Sequence, residues 1–134
     1  MKETPEPLTP QQTLWLILVP MLATFLSLRL YLHGVGVRHV YPGGHLVHHL
    51  YLGVLILIPA AFLLAFSTRT RVAAAVANVA VGIGSALALD EISYLVLTQA
   101  SDRDYISQVS LYGAISLIAL AVILLLALYL AHRD

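Results

Sequence analysis

Four long apolar runs dominate this sequence and leave few choices of fold. They occupy residues 13–33, 45–66, 72–98 and 105–131. A helix that crosses the hydrocarbon core of a membrane needs about 20 mainly apolar residues, and each run is long enough. The runs are continuous rather than alternating, which excludes the strands of a membrane barrel. Pro20 and Pro59 fall inside two of them. Membrane helices accept such prolines because neighbouring helices and side chains satisfy the freed carbonyls. The sequence therefore predicts an all-α, integral membrane four-helix bundle with antiparallel, up-and-down connectivity and short loops. Residues 1–12 read as an N-terminal tail, and residues 13–134 as one transmembrane domain. The acidic, proline-rich tail lacks the positive region of a secretory signal.

Charge then narrows the function. Only 10% of the residues are charged, where a soluble domain carries about 25%. Seven Lys and Arg balance seven Asp and Glu, so no field draws phosphates from a distance. No nucleic-acid partner is expected, and the lipid bilayer is the surrounding partner. The chain has no cysteine, which excludes thiolate zinc sites, iron–sulfur clusters and thiol redox chemistry. With four spans, Lys2, Arg69, Arg71 and Arg133 share one side. Arg38 and Arg103 share the other, with Arg29 inside the end of the first span. The positive-inside rule places both termini in the cytoplasm, in a bacterial or archaeal cytoplasmic membrane.

The histidines are the anomaly. Five of the six fall within residues 33–49, where the first span ends, the glycine-rich first loop runs and the second span begins. Loops one and three lie on one side of such a bundle. His33, His39, His45, His48, His49, Asp102 and Asp104 therefore gather at one end. Asp90 and Glu91 sit in the third span, roughly 10–12 Å from its outer end at 1.5 Å per residue. An ionised carboxylate there costs at least about 2.5 kcal/mol, and two neighbours resist ionising together. A metal cation or Arg29 would relieve both costs.

Helical spacing assigns candidate roles. His45 and His49 are four residues apart and share a helix face, a two-ligand platform for zinc. On an ideal helix His48 points about 100° away from His49. Ala73, Ala77, Ala80 and Gly84 form a small-residue stripe that continues through Ala88 to Glu91 and Thr98; it lets helices approach closely, within the bundle or with a second copy in a homo-oligomer. The candidate metal ligands are His45, His48, His49, Asp90 and Glu91. Glu91, Asp90 and Tyr94 are the candidate proton-moving groups, and Arg29 and His33 the candidate substrate-binding groups. His132 reads as a solvated tail residue. Most tyrosines read as an interfacial belt. Asp104 and Ser107 are placed to cap the fourth helix.

The segment His45-Leu46-Val47-His48-His49 resembles the HxxHH box of membrane fatty-acid desaturases and hydroxylases, which hold a pair of irons with histidines from several boxes. The resemblance covers five residues, and no separate HxxxH box accompanies it.

Three functional readings compete. The first is a metal-dependent enzyme, with zinc on His45, His49 and a carboxylate activating water to hydrolyse a lipid-like or amphiphilic substrate at the outer interface. The second is an oxidoreductase built on di-iron or on a bis-histidine haem. The third is a non-enzymatic structural or transport-associated bundle. Polarity confined to one end favours a one-sided pocket over a channel.

Overall fold

A computed structural model describes residues 6–36, 48–66, 70–99 and 101–133. Every secondary-structure element among them is helical: α1 (Pro10–Val35), α2 (His49–Phe66), α3 (Arg71–Leu97), α4 (Asp102–Tyr105) and α5 (Gln108–His132). Four of these, α1, α2, α3 and α5, are long and apolar enough to cross a membrane.

Local sequence explains the starts and stops. Thr9 and Gln12 form a reciprocal capping box at the start of α1, satisfying two amides that lack helical acceptors. Pro10 occupies the first turn, where its missing N–H costs nothing. Gly36 ends the helix at φ +83°, a conformation that favours glycine. Thr70 caps α3 by accepting from the Ala73 amide at 3.3 Å.

The fourth apolar run differs from the expectation of one continuous helix. Ser101 and Asp104 form a second capping box and start the four-residue α4. Ser107 then caps α5, accepting from the Ser110 amide at 3.2 Å. The run is broken because two N-cap serines stand six residues apart, each with its own helix to start. Asp104 thus serves α4 rather than the long helix. In the second run α2 begins at His49, and residues 45–47 lie outside the described residues.

Helix α3 occupies the centre and packs against α1, α2 and α5, while α1 and α5 also touch each other. Glycines set the distances. A methyl group on Gly53 would lie 2.7 Å from the Gly84 carbonyl oxygen, and one on Gly84 would lie 2.8 Å from the Gly53 oxygen. Backbone therefore meets backbone where α2 crosses α3, as small residues permit in membrane helices. Gly82 gives α1 the same access, facing the Ile17 carbonyl. Met21, Phe25, Ala86, Ala114 and Ile118 fill the core between α1, α3 and α5.

The two ends of the molecule differ. At one end Arg71 donates to Gln12 at 3.1 Å, and Leu8, Leu14, Tyr129 and His132 line a common cavity. At the other end the end of α1, the start of α2, the end of α3, α4 and the start of α5 converge. Of the six buried polar or charged residues described, Arg29, Asp90, Glu91, Ser93 and Ser110 lie at this second end, and Asn78 alone lies away from it. Many large apolar side chains point outward, including Leu30, Leu55, Phe62, Phe66, Ile123 and Leu124.

Candidate functional site

Asp90 and Glu91 lie near the end of α3 and are almost completely buried, at 0% and 2% exposure. They are consecutive, so they project about 100° apart and meet different partners.

Asp90 belongs to a chain of polar groups. Arg29, itself buried, donates from Nε to Asp90 Oδ1 at 2.6 Å. The guanidinium is held further by the carbonyl of Tyr105 at 3.2 Å and by the carbonyl and hydroxyl of Ser110 at 3.3 and 3.2 Å. The Tyr105 hydroxyl donates to Asp90 Oδ2 at 2.8 Å and lies 2.6 Å from His49 Nε2. His49 Nε2 is also 3.3 Å from Asp90 Oδ2. Burial and the neighbouring Asp90 charge push the Tyr105 hydroxyl well above its ordinary range, so it holds its proton and serves as a donor. Tyr94 buttresses Tyr105 edge to face, with ring centroids 4.6 Å apart.

Glu91 belongs to the start of α2. His48 Nδ1 hydrogen-bonds Glu91 Oε1. The Leu50 amide donates to Oε2 at 2.6 Å, and His49 Nδ1 lies 3.4 Å from the same oxygen. The first amides of a helix have no internal acceptor and favour negative charge. The first turn of α2 contains no acid of its own, so Glu91 supplies it from α3.

His48 does not point away from His49 as ideal helical spacing predicts. His48 precedes the first residue of α2 and is not bound to helical spacing. Both imidazoles consequently face the carboxylates of α3. His45 and His39 lie outside the described residues. His33 is exposed, and its Nδ1 bonds back to the Arg29 carbonyl at 2.8 Å instead of joining the cluster. Arg29 is sequestered by Asp90, α4 and α5. Sequence places Tyr105 in the interfacial belt and Ser110 among the few polar residues of the fourth run, and neither position reveals the contacts with Arg29 and Asp90. The Ser101-x-x-Asp104 pattern could have marked the separate α4 that delivers Tyr105. The backbone carbonyls that hold Arg29 leave no trace in sequence.

The network is closed: among the described residues no buried side-chain nitrogen or oxygen lacks a hydrogen-bond partner. Among the same residues no three His, Asp or Glu side chains form a group with the spacing of a metal centre. The donor set is nevertheless of the right kind, since two imidazole nitrogens and a carboxylate are borderline ligands that suit zinc. Arg29 pairs with Asp90, whereas Glu91 meets His48 and His49. Comparison with protein-family models, with curated proteins and with solved structures gave no match.

Proposed function

We propose that this chain is an integral membrane metal-binding protein whose centre is Glu91 with His48 and His49. In this reading the helices cross a bacterial or archaeal cytoplasmic membrane as an antiparallel, up-and-down bundle. Both termini lie in the cytoplasm, and the centre lies beneath the outer surface. Four long apolar helices and the outward-facing leucines and phenylalanines support insertion.

One observation carries the reading: both His48 Nδ1 and His49 Nδ1 turn toward a single buried carboxylate, Glu91. Imidazole and carboxylate donors of this kind suit a divalent ion, zinc first, and such an ion would bring positive charge to a buried carboxylate. Three protein ligands leave the fourth position of a tetrahedral zinc to water; His45, which the sequence also offers as a ligand, lies outside the described residues. Zinc with an open position activates water, so the proposed reaction is hydrolysis of a lipid-like or amphiphilic substrate. The chain's own residues would set the stage: Tyr105 and Asp90 orient His49, and Arg29 fixes Asp90 through their ion pair.

Calorimetric titration of zinc into the detergent-purified protein tests the proposal. The expected result is one ion per wild-type chain and no saturable binding in Glu91→Gln, which removes a proposed ligand. Absence of saturable binding to the wild type would overturn it. The cluster would then be a proton-sharing lock between helices, and the chain a structural or transport-associated bundle.

A further inference from the structure

Asp90 and Glu91 are neighbours of one chemical type, yet their surroundings give them different work. We infer that Asp90 is a positioning residue rather than a ligand: acting with Tyr105, it holds His49 in the tautomer whose bare nitrogen, Nδ1, lies beside Glu91. The purpose of this device rests on the metal-centre reading above. The tautomer itself does not.

Arg29 Nε occupies Asp90 Oδ1 at 2.6 Å. Its remaining donors are tied to Tyr105 and Ser110, so the carboxylate is fixed in orientation and stays an acceptor. The Tyr105 hydroxyl has one proton and gives it to Asp90 Oδ2 at 2.8 Å. Its oxygen can then only accept from His49 Nε2, 2.6 Å away; the other ring nitrogen is farther, at 3.4 Å. A neutral imidazole carries one N–H. With that proton on Nε2, Nδ1 is a lone pair 3.4 Å from Glu91 Oε2. Two acceptors so close in a buried site repel unless a cation is shared between them. The His49–Glu91 edge is thereby prepared for a cation, and Asp90, two hydrogen bonds away, prepares it. Carboxylates placed behind histidine ligands act in this way at metal sites generally.

Asp90→Asn reverses the pattern. Its amide oxygen would take the Arg29 contact and its NH2 would face Tyr105 and His49. The imidazole must then accept at Nε2 and carry its proton on Nδ1. The test is nitrogen NMR of zinc-free protein with 15N-labelled histidine, at a pH where the imidazoles are neutral, with His49→Asn identifying the signal. The expected result is Nε2–H in the wild type and Nδ1–H in Asp90→Asn. A wild-type Nδ1–H signal, or an unchanged tautomer in Asp90→Asn, would overturn the inference.

Tyr105→Phe keeps the test open should Asp90→Asn fail to fold. There Nε2–H meets Asp90 directly at the longer 3.3 Å, so the tautomer stays and the strongly deshielded Nε2 proton moves upfield. An unmoved proton contradicts the hydrogen-bond chain. Zinc titration separates positioning from ligation. Asp90→Asn is expected to weaken binding about 10–100-fold while still reaching one ion per chain at saturation. Loss of that stoichiometry would make Asp90 a ligand and overturn the inference. If the wild type binds no zinc, the metal reading falls and the tautomer measurement still decides the inference.

Discussion

Arg29 shows how a single residue can be legible in part. Its position inside an apolar run, with two acids in another run, suggested a buried ion pair from sequence. The pair is present, at 2.6 Å between groups 6% and 0% exposed. What sequence could not reveal is that Arg29 also spends its other donors on backbone carbonyls of Tyr105 and Ser110, because carbonyls are common to every residue. Removing one partner of a buried pair strands the other charge and costs about 3–5 kcal/mol. Arg29→Met should therefore destabilise the protein by about that amount in chemical unfolding in micelles. Arg29→Met combined with Asp90→Asn should recover most of the loss. A stable single variant would contradict the pairing. The Asp90–Glu91 division was equally hidden: the sequence shows two acids, and only the partners distinguish them.

Among the elements, α2 was the most readable in its apolar length and the least in its start. The spacing of His45, His48 and His49 presumes a helix running through all three, whereas α2 begins at His49 and frees His48 to face Glu91. The packing partner of α2 was foreshadowed by the small-residue stripe, since Gly84 of that stripe meets Gly53. Gly53→Ala forces a methyl against backbone and is expected to cost about 1–3 kcal/mol. Gly34→Ala, with open space around it, should stay within about 0.5 kcal/mol of the wild type. Equal stabilities in the same unfolding assay would contradict the close crossing. Helix α4 gives a pH signature. Hydrogen bonds from the Ser101 hydroxyl and then from its amide hold the Asp104 carboxyl below its ordinary value. A lowered folded value means that the box is stabilising above the unfolded value of about 3.9 and fails as pH falls through the folded value. Exchange protection of the Ser101 amide, which donates to the Asp104 carboxylate, should drop below pH ~4, and Asp104→Asn should lack that step. A step retained in the variant would show that another group controls it.

At the scale of the whole molecule, hydropathy made the helical class and the number of long apolar helices plain, because a bilayer demands length and apolarity together. It could not show that α3 lies at the centre with α2 packed along one side, which depends on where glycines on different helices meet. The absence of native cysteine makes orientation directly measurable. With single cysteines and a membrane-impermeant maleimide on intact cells, Arg103→Cys should label and Gln11→Cys should not. The reverse pattern would place the buried centre on the cytoplasmic side. The central claim is that Glu91, with His48 and His49, holds a metal ion. The most direct measurement is the metal content of protein purified in detergent without chelators, for the wild type and for Glu91→Gln. The account predicts one zinc per wild-type chain and a stoichiometry near zero in the variant. A metal-free wild type, or a variant that keeps its zinc, would contradict it.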